Sequence, residues 1–133
     1  MNAAARFSIY AGRHTDALAA AHQSGGAGEF EEKGRWVTGS RLFHEAQREG
    51  RRMAVLFGDT SKDATGNLLY HAVLTGVEVL AGNRTRYRFA GLTPIPGDVP
   101  KSRLLKRSDN MPLKDTFQRS YSIVYTPDFI YAA

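Results

Sequence analysis

The feature that most restricts the fold of this chain is a strict alternation of side chains in residues 84–89, RTRYRF. Alternating positions of an extended strand project to opposite faces of a sheet. One face would therefore carry Arg84, Arg86 and Arg88, and the other Thr85, Tyr87 and Phe89. The preceding stretch, Leu68–Leu80, also has the composition of a strand, and the turn-forming residues 81–83 separate the two. Residues 68–90 therefore predict a β-hairpin with one cationic face and one aromatic face.

The longer strand of this hairpin contains Gly76, and a glycine inside a strand predicts a bulge or a bend. Simple alternation would place four of its residues on one face, namely Val73, Thr75, Val77 and Val79.

The rest of the chain predicts a mixture of short helices and strands. Helices are expected after Thr15 and over Ser40–Glu49, where residues suited to helix starts and interiors end at glycines. Further strands are expected at residues 7–10, 53–57 and 121–125, and residues 101–107 fit either a strand or a turn. Residues 24–34 are rich in glycine and acidic groups, which indicates a flexible connection. The expected architecture is α+β, a single domain over residues 1–133, with a small bent sheet or β-barrel and two or three flanking helices.

Composition excludes several kinds of site. Without any cysteine, the chain has no disulfide, thiolate metal site or cysteine nucleophile, and a reducing cytoplasm is its expected location. The four histidines lack the spacing of a metal site, so we expect neither metal nor cofactor. The segment GDTSKDATG fails the spacing of a phosphate-binding loop. No apolar run is long enough to span a membrane, so no membrane partner is expected.

The positive charge is concentrated in one part of the sequence. Residues 84–107 hold seven cations and one anion, Asp98, in a chain whose net charge is +5. The cations are Arg84, Arg86, Arg88, Lys101, Arg103, Lys106 and Arg107. Arginine forks match phosphate geometry, so the first interpretation is contact with the backbone of a nucleic acid, DNA or RNA. The alternatives are ion pairing within the fold, to residues 29–32 or Glu78, and an ordinary solvated surface.

The only tryptophan, Trp36, lies in the stretch GRWVTGS. Large aromatic side chains are most often part of a core. The small residues Thr38, Gly39 and Ser40 nevertheless leave room for a flat ligand against the indole, as when a flipped base is held by an aromatic face. Core packing and base stacking both remain open for Trp36.

The order of elements from residue 34 to residue 96 resembles the PUA-like barrels of the EVE, YTH and ASCH group. The segments that carry the resemblance are RWVTGSRLFHEAQREGRRMAVLFGDT, LLYHAVLTGVEV and TRYRFAGLTPI. The resemblance implies a small barrel that binds nucleic acid and grips one modified base in an aromatic cage. It implies a base pocket made of Trp36, Thr38, Ser40, Phe57 and Asp59, with Trp36 as a wall and Asp59 on the base edge.

Two other functions compete with this hypothesis of a nucleic-acid-binding module. The first is a small hydrolase of the ASCH-like type acting on RNA or a modified nucleoside, for which Lys33, Thr38, Asp59 and Glu78 are the candidate groups. The second is a partner-binding or oligomerising protein that uses its aromatic strands. The sequence does not determine the oligomeric state.

Overall fold

The computed structural model of the protein describes residues 3–13, 15–59, 66–114 and 121–132. The strands are β1 (Phe7–Arg13), β2 (Gly28–Lys33), β3 (Ala54–Asp59), β4 (Leu68–Leu80), β5 (Arg84–Pro94) and β6 (Tyr121–Tyr125). The helices are α1 (Thr15–Gln23), α2 (Val37–Arg48) and the short α3 (Asp128–Tyr131), with a 3-10 turn at Lys101–Arg103. The expected α+β class is confirmed. Most of the polar stretch 58–67, at residues 60–65, lies outside the described part of the chain.

The strands form one six-stranded sheet in the order β2-β5-β4-β3-β1-β6. β1 and β3 are parallel, and the other neighbouring pairs are antiparallel. The connection from β1 to β3 contains α1, β2 and α2, so the chain adds a strand at the far edge before it returns to the centre. β4 and β5 form the predicted hairpin, which turns through Gly82 (φ +79°) and Asn83 (φ +58°).

The alternation predicted for β5 is confirmed, whereas the one predicted for β4 is wrong. Thr85, Tyr87 and Phe89 are buried, and the three arginines between and beside them are more exposed. In β4 the pairing register shifts between Leu74 and Gly76, so the predicted bulge is present. Because of the shift, Leu74 and Val77 are both buried while Val73 is exposed.

The sheet separates two apolar clusters. The first lies on the face covered by α1 and α2, and its largest buried members include Trp36, Phe57, Tyr87 and Phe89. The second contains Tyr10, Leu56, Leu104, Leu113 and Ile130, so the irregular segment after β5 and the C-terminal helix cover the opposite face. Alternate residues of the central strands therefore contribute to different clusters, as in a sheet buried on both sides.

The described strands form an open sheet and not a closed barrel. No backbone ladder joins the edge strands β2 and β6 among the described residues. Instead, a side chain links the end of β1 to β2. Arg13 donates from Nη2 to the Glu31 carbonyl oxygen at 2.8 Å and pairs through Nε with Glu32 Oε1 at 3.1 Å. The sheet is thus curled enough for these strands to approach each other without completing a barrel.

Residues 28–33, expected within a flexible connection, form the edge strand β2. The strand pairs with β5 along its whole length, from Gly28 opposite Phe89 to Lys33 opposite Arg84. Phe30 packs against the first cluster, while Glu29 and Glu31 remain exposed. In the sequence, this short strand shows only a weak alternation of apolar and polar residues. Phe30 is its single aromatic residue, and glycines and carboxylates surround it.

Candidate functional site

Trp36 lies at the start of α2, where one buried hydroxyl group fixes its backbone. Its N–H donates to Oγ1 of Thr85 at 2.9 Å, and the same hydroxyl donates to the Gly34 carbonyl oxygen at 2.9 Å. Gly34 has φ +101°, a conformation that L residues rarely adopt, and its N–H donates to the Asn83 carbonyl oxygen at 2.6 Å. The loop that carries Trp36 is therefore anchored to the turn and the first residues of β5.

The indole of Trp36 is stacked between two tyrosine rings. The ring centroids of Trp36 and Tyr87 are 4.7 Å apart with an interplanar angle of 21°, and those of Trp36 and Tyr121 are 4.5 Å apart at 17°. Trp36 is 0% exposed, and its Nε1 has no hydrogen-bond partner among the described residues. Both faces of the indole are thus occupied by the protein itself, and within the described part of the chain its one polar atom has no partner.

Tyr121 is the more accessible of the two stacking partners. Tyr87 is 0% exposed, whereas Tyr121 is only partly buried and belongs to β6, the last strand in the sheet order. Burial raises the pKa of Tyr121, and a hydrogen bond from the backbone of Gly39, in the first turn of α2, opposes that rise. Gly39 lies next to this ring, since an added Cβ would lie 3.4 Å from the Tyr121 ring and 3.1 Å from the Ile9 side chain. Tyr121 therefore covers Trp36 and also contacts the first turn of α2.

A partly buried ion pair lies on the other side of the stack, near the Tyr87 hydroxyl. Burial, together with the negative charge of Glu32, raises the pKa of Tyr87, and Arg13 opposes this shift. Burial also raises the pKa of Glu32, again against the effect of Arg13. The Arg13 guanidinium carbon lies 4.2 Å from the centroid of the Phe30 ring. Tyr87 is therefore fixed between an aromatic cluster and a charged pair.

The other predicted pocket residues occupy three different surroundings. Thr38 and Ser40 lie in the first turn of α2 on either side of Gly39, and the Ser40 hydroxyl is 3.4 Å from Nδ1 of His44. Phe57 is fully buried behind Tyr87, with a centroid distance of 6.4 Å. Asp59 ends β3, and its charge, after the larger effect of burial, helps raise the pKa of Tyr10 to about 12. Thr38, Ser40 and Phe57 are thus near the stack. Asp59 instead influences the pKa of Tyr10, a residue of the second cluster.

The three arginines of β5 are paired with carboxylates, the alternative that the sequence left open. Arg88 Nε lies 2.6 Å from Glu29 Oε1 and its Nη2 lies 3.9 Å from Glu78 Oε1. The remaining pairs, all at 3.7 Å, are Arg84 with Glu31, Arg86 with Glu29 and Arg86 with Glu31. The register between β2 and β5 explains the arrangement, because Glu29 is opposite Arg88 and Glu31 is opposite Arg86. Their predicted contact with phosphates remains a prediction and would require exchange of these ion pairs.

The four cations predicted in residues 101–107 have unlike environments. Lys101 is 5% exposed, with Nζ at 6.0 Å from the centroid of Tyr10, and Lys106 pairs with Asp109 at 3.0 Å. Arg103 is exposed. Arg107 is also exposed, and its guanidinium carbon lies 5.1 Å from the centroid of Phe7. Among these four, Arg103 and Arg107 are the most accessible for a polyanion.

Comparison with solved structures finds several similar chains. The chain is similar to the YTH domain of the Zygosaccharomyces rouxii MRB1 protein, solved in complex with N6-methyladenosine RNA. The TM-score is 0.47 at 17% sequence identity, over 92% of this chain and 81% of that one. No family model matches the sequence, and no curated protein matches it either. A similarity at this identity and TM-score does not by itself assign a function.

The hydrolase hypothesis gains no support from the described residues. Glu78 is exposed and interacts with Arg88, on the side of the hairpin opposite the buried aromatic residues. Across the described ranges, no group of three or more histidine, aspartate or glutamate side chains could hold a metal ion. None of the helices described is long and apolar enough to cross a membrane.

The sequence did not assign three of the residues that shape this site: Thr85, Tyr87 and Tyr121. Tyr87 had a usable signal, because the alternation of β5 already assigned it to the buried face. Tyr121 had none, since 85 positions separate it from Trp36 and nothing local indicates that the two rings meet.

Proposed function

We propose that this protein is a single-stranded nucleic-acid-binding module that holds one base against Trp36. The observation that carries the proposal is the stack of Tyr87, Trp36 and Tyr121, in which the indole N–H has no partner among the described residues. A buried N–H left unpaired costs free energy that a ligand acceptor would recover. A flat ring held between aromatic faces is the arrangement by which proteins retain an unstacked base.

Tyr121 is the partner that a base would replace. A base in its position would keep the stacking on Trp36 while Tyr87, fully buried, continued to support the opposite face. Displacement costs the hydrogen bond with the backbone of Gly39 and the contacts of one partly buried ring. Because the incoming base restores aromatic contact with Trp36, the replacement of Tyr121 by a base changes the free energy little. The contacts made by the edge of the base then determine whether it binds.

Polar groups around this position would read the edge of the base. The Gly39 N–H lies in the first turn of α2, and displacement of Tyr121 would release it to donate to an acceptor on the base. Thr38 and Ser40 flank it and supply hydroxyl groups that both donate and accept. In this proposal Phe57 supports Tyr87 from behind, and Asp59 lies at the edge of the pocket. No metal or cofactor is required for this kind of recognition.

The strand backbone would be bound by the cations that the fold leaves accessible. Arg103 and Arg107 fit this role as they stand, and Lys106 would have to share its charge with Asp109. The β5 arginines would contribute only after exchanging Glu29 or Glu31 for phosphate. The proposal thus covers RNA and single-stranded DNA alike, because phosphate contacts do not separate them.

We also propose that the curled sheet is a PUA-like barrel left open between β1 and β2, where the Arg13 side chain takes the place of a ladder. The segments of residues 34–96 that carry that resemblance contain Trp36, α2, β3, β4 and β5, which are the elements around the stack. A cytoplasmic location accompanies the proposal because the chain has no cysteine.

Fluorescence of the single tryptophan tests the proposal directly. Wild-type protein is titrated at low salt with a single-stranded oligoribonucleotide and with an abasic oligomer of the same length. We expect the first to change Trp36 emission and the second to bind more weakly without the same change, because only a base can stack on the indole. Affinity should fall steeply with salt as counterions are released. Equal responses to the two oligomers, or no binding at low salt, would overturn the proposal.

A further inference from the structure

A second aromatic and cationic cluster lies at the end of the sheet away from Trp36. The rings of Phe7 and Tyr125 are 5.1 Å apart at an interplanar angle of 50°. The guanidinium carbon of Arg6 lies 5.4 Å from the centroid of Phe7 and 5.6 Å from that of Tyr125, and that of Arg107 lies 5.1 Å from Phe7. Two positive charges therefore converge on one ring.

Three separate parts of the chain build this cluster. Phe7 is opposite Tyr125 in the antiparallel pairing of β1 and β6. Residues 105–107 run along the other side of β6, where the Tyr125 N–H donates to the Leu105 carbonyl oxygen and the Arg107 N–H donates to the Ile123 carbonyl oxygen, both at 2.9 Å. Arg107 is thus held beside Phe7 by backbone hydrogen bonds and does not depend on a long, free loop.

The two guanidinium groups are not neutralised by the part of the protein that the structure describes. No carboxylate in these residues forms an ion pair with Arg6 or Arg107. The acidic side chains of the adjoining cleft, Glu45 and Glu49, pair with other arginines at 3.1 Å and 3.9 Å. Like charges placed together without counter-charges favour an anion between them. Both side chains are exposed, so an anion can reach them from solvent.

The cluster is connected to the Trp36 stack through β6. Tyr121 and Tyr125 are four residues apart on that strand and share a face, at a separation of about 13 Å for an extended chain. A strand whose base replaced Tyr121 would therefore have its next phosphates within reach of Arg6 and Arg107. Guanidinium groups bind phosphate oxygens with paired hydrogen bonds, which suits this position.

We infer that Arg6 and Arg107, held by Phe7 and Tyr125, form a phosphate-binding site for the nucleotides next to the base on Trp36. The nature of the ligand and the contact of Arg107 with phosphate rest on the proposed function, whereas Arg6 and the supporting rings of Phe7 and Tyr125 are additional to it. The site extends recognition from one base to a short stretch of strand and gives the bound strand a direction, along β6 from Tyr121 towards Tyr125.

Salt dependence of binding tests this site. The affinity of an eight-nucleotide oligoribonucleotide is measured at several salt concentrations for wild type, for the double variant R6Q/R107Q and for the control R48Q/K114Q. The control removes the same charge from two other exposed positions and leaves the Arg41–Glu45 pair in place. For single strands each neutralised phosphate contributes about 0.7 to the slope of log K against log salt, so R6Q/R107Q should reduce the slope by about 1.4. The control should retain the wild-type slope.

A nucleoside without phosphate separates this site from the Trp36 stack. The response of Trp36 fluorescence to the nucleoside should be the same in R6Q/R107Q and in wild type. A slope in R6Q/R107Q equal to that of the control would overturn the phosphate site and leave the proposed function standing. A wild-type protein that binds neither nucleoside nor oligomer would overturn both.

Discussion

The hydroxyl of Thr85 holds Trp36 in place through its backbone: it accepts the Trp36 N–H at 2.9 Å and donates to the carbonyl oxygen of Gly34 at the same distance. Thr85 is 0% exposed and its bond to the Trp36 N–H is buried, so that N–H cannot turn to water if the hydroxyl is removed. A single oxygen atom thus connects the start of β5 to the loop on which the proposed base platform stands.

Replacing Thr85 by valine keeps the shape of the side chain and removes this oxygen. We expect Thr85→Val to lower the free energy of unfolding by about 1–3 kcal/mol, because the buried Trp36 N–H loses its acceptor and the Gly34 carbonyl group loses a donor. Urea unfolding followed by Trp36 fluorescence measures the change. Thr75→Val on the exposed side of β4 is the matched control. Equal stabilities of the two variants would show that the hydroxyl contributes little.

Tyr121→Phe tests the displacement of Tyr121 by a base. The variant keeps the ring on Trp36 and loses the hydrogen bond with the Gly39 backbone. The state in which Tyr121 covers Trp36 should be destabilised by about 1 kcal/mol. Because a base competes with that state, affinity for single-stranded RNA should rise about fivefold. Fluorescence titration measures the affinity, and Tyr131→Phe, at an exposed position, is the control. A loss of affinity in Tyr121→Phe would mean that the hydroxyl contacts the ligand and does not compete with it.

Removing the carboxylates of β2 tests the predicted phosphate contacts of the β5 arginines. In E29Q/E31Q the ion pairs that hold Arg84, Arg86 and Arg88 lose their acidic partners on β2. We expect tighter binding to single-stranded RNA and a steeper dependence on salt, because free guanidinium groups recruit phosphates. The control D16N/D128N removes the same charge elsewhere. Equal salt slopes in the two double variants would exclude these arginines as phosphate contacts.

The same strand gives a pH effect of defined sign. A hydrogen bond from Arg88 lowers the pKa of Glu29, helped by the charges of Arg88 and Arg86 and opposed by desolvation. A depressed pKa in the folded state stabilises the fold above the ordinary pKa of the group, and this contribution is lost as pH falls through the folded-state value. NMR titration of the Glu29 carboxyl group should show a low midpoint in wild type that moves up in Arg88→Gln. A midpoint unchanged by that variant would contradict the assigned cause.

Glu32 should show the opposite behaviour. Burial raises its pKa, and Arg13 opposes the rise. Since the folded-state pKa is above the unfolded one, the contribution of Glu32 to stability is full below the unfolded pKa and is lost as pH rises through the folded-state value. NMR titration should give a raised midpoint in wild type and a higher one in Arg13→Met, where the favourable charge is absent. A lower midpoint in Arg13→Met would show that Arg13 does not act on this carboxyl group.

The sequence by itself determined the local arrangement of β4 and β5. The alternation of residues 84–89 defined which side chains of β5 are buried, because the period of a strand is local, and the glycine and asparagine at the turn defined the hairpin. The sequence also indicated the bulge at Gly76. It did not indicate which residues of β4 the bulge would move to the other face, because the position of a register shift depends on the partner strand.

Only the tertiary structure decided what surrounds Trp36 and the arginines. Tyr121 and Tyr87 reach Trp36 from strands that lie 85 and 51 positions further along the chain. Likewise, Glu29 meets Arg88 because β2 adds to the edge of β5, across 59 positions of sequence. Stacking and ion pairing depend on distances of a few ångströms between side chains, and a distance of that kind follows from the order of the strands and not from the spacing of residues along the chain.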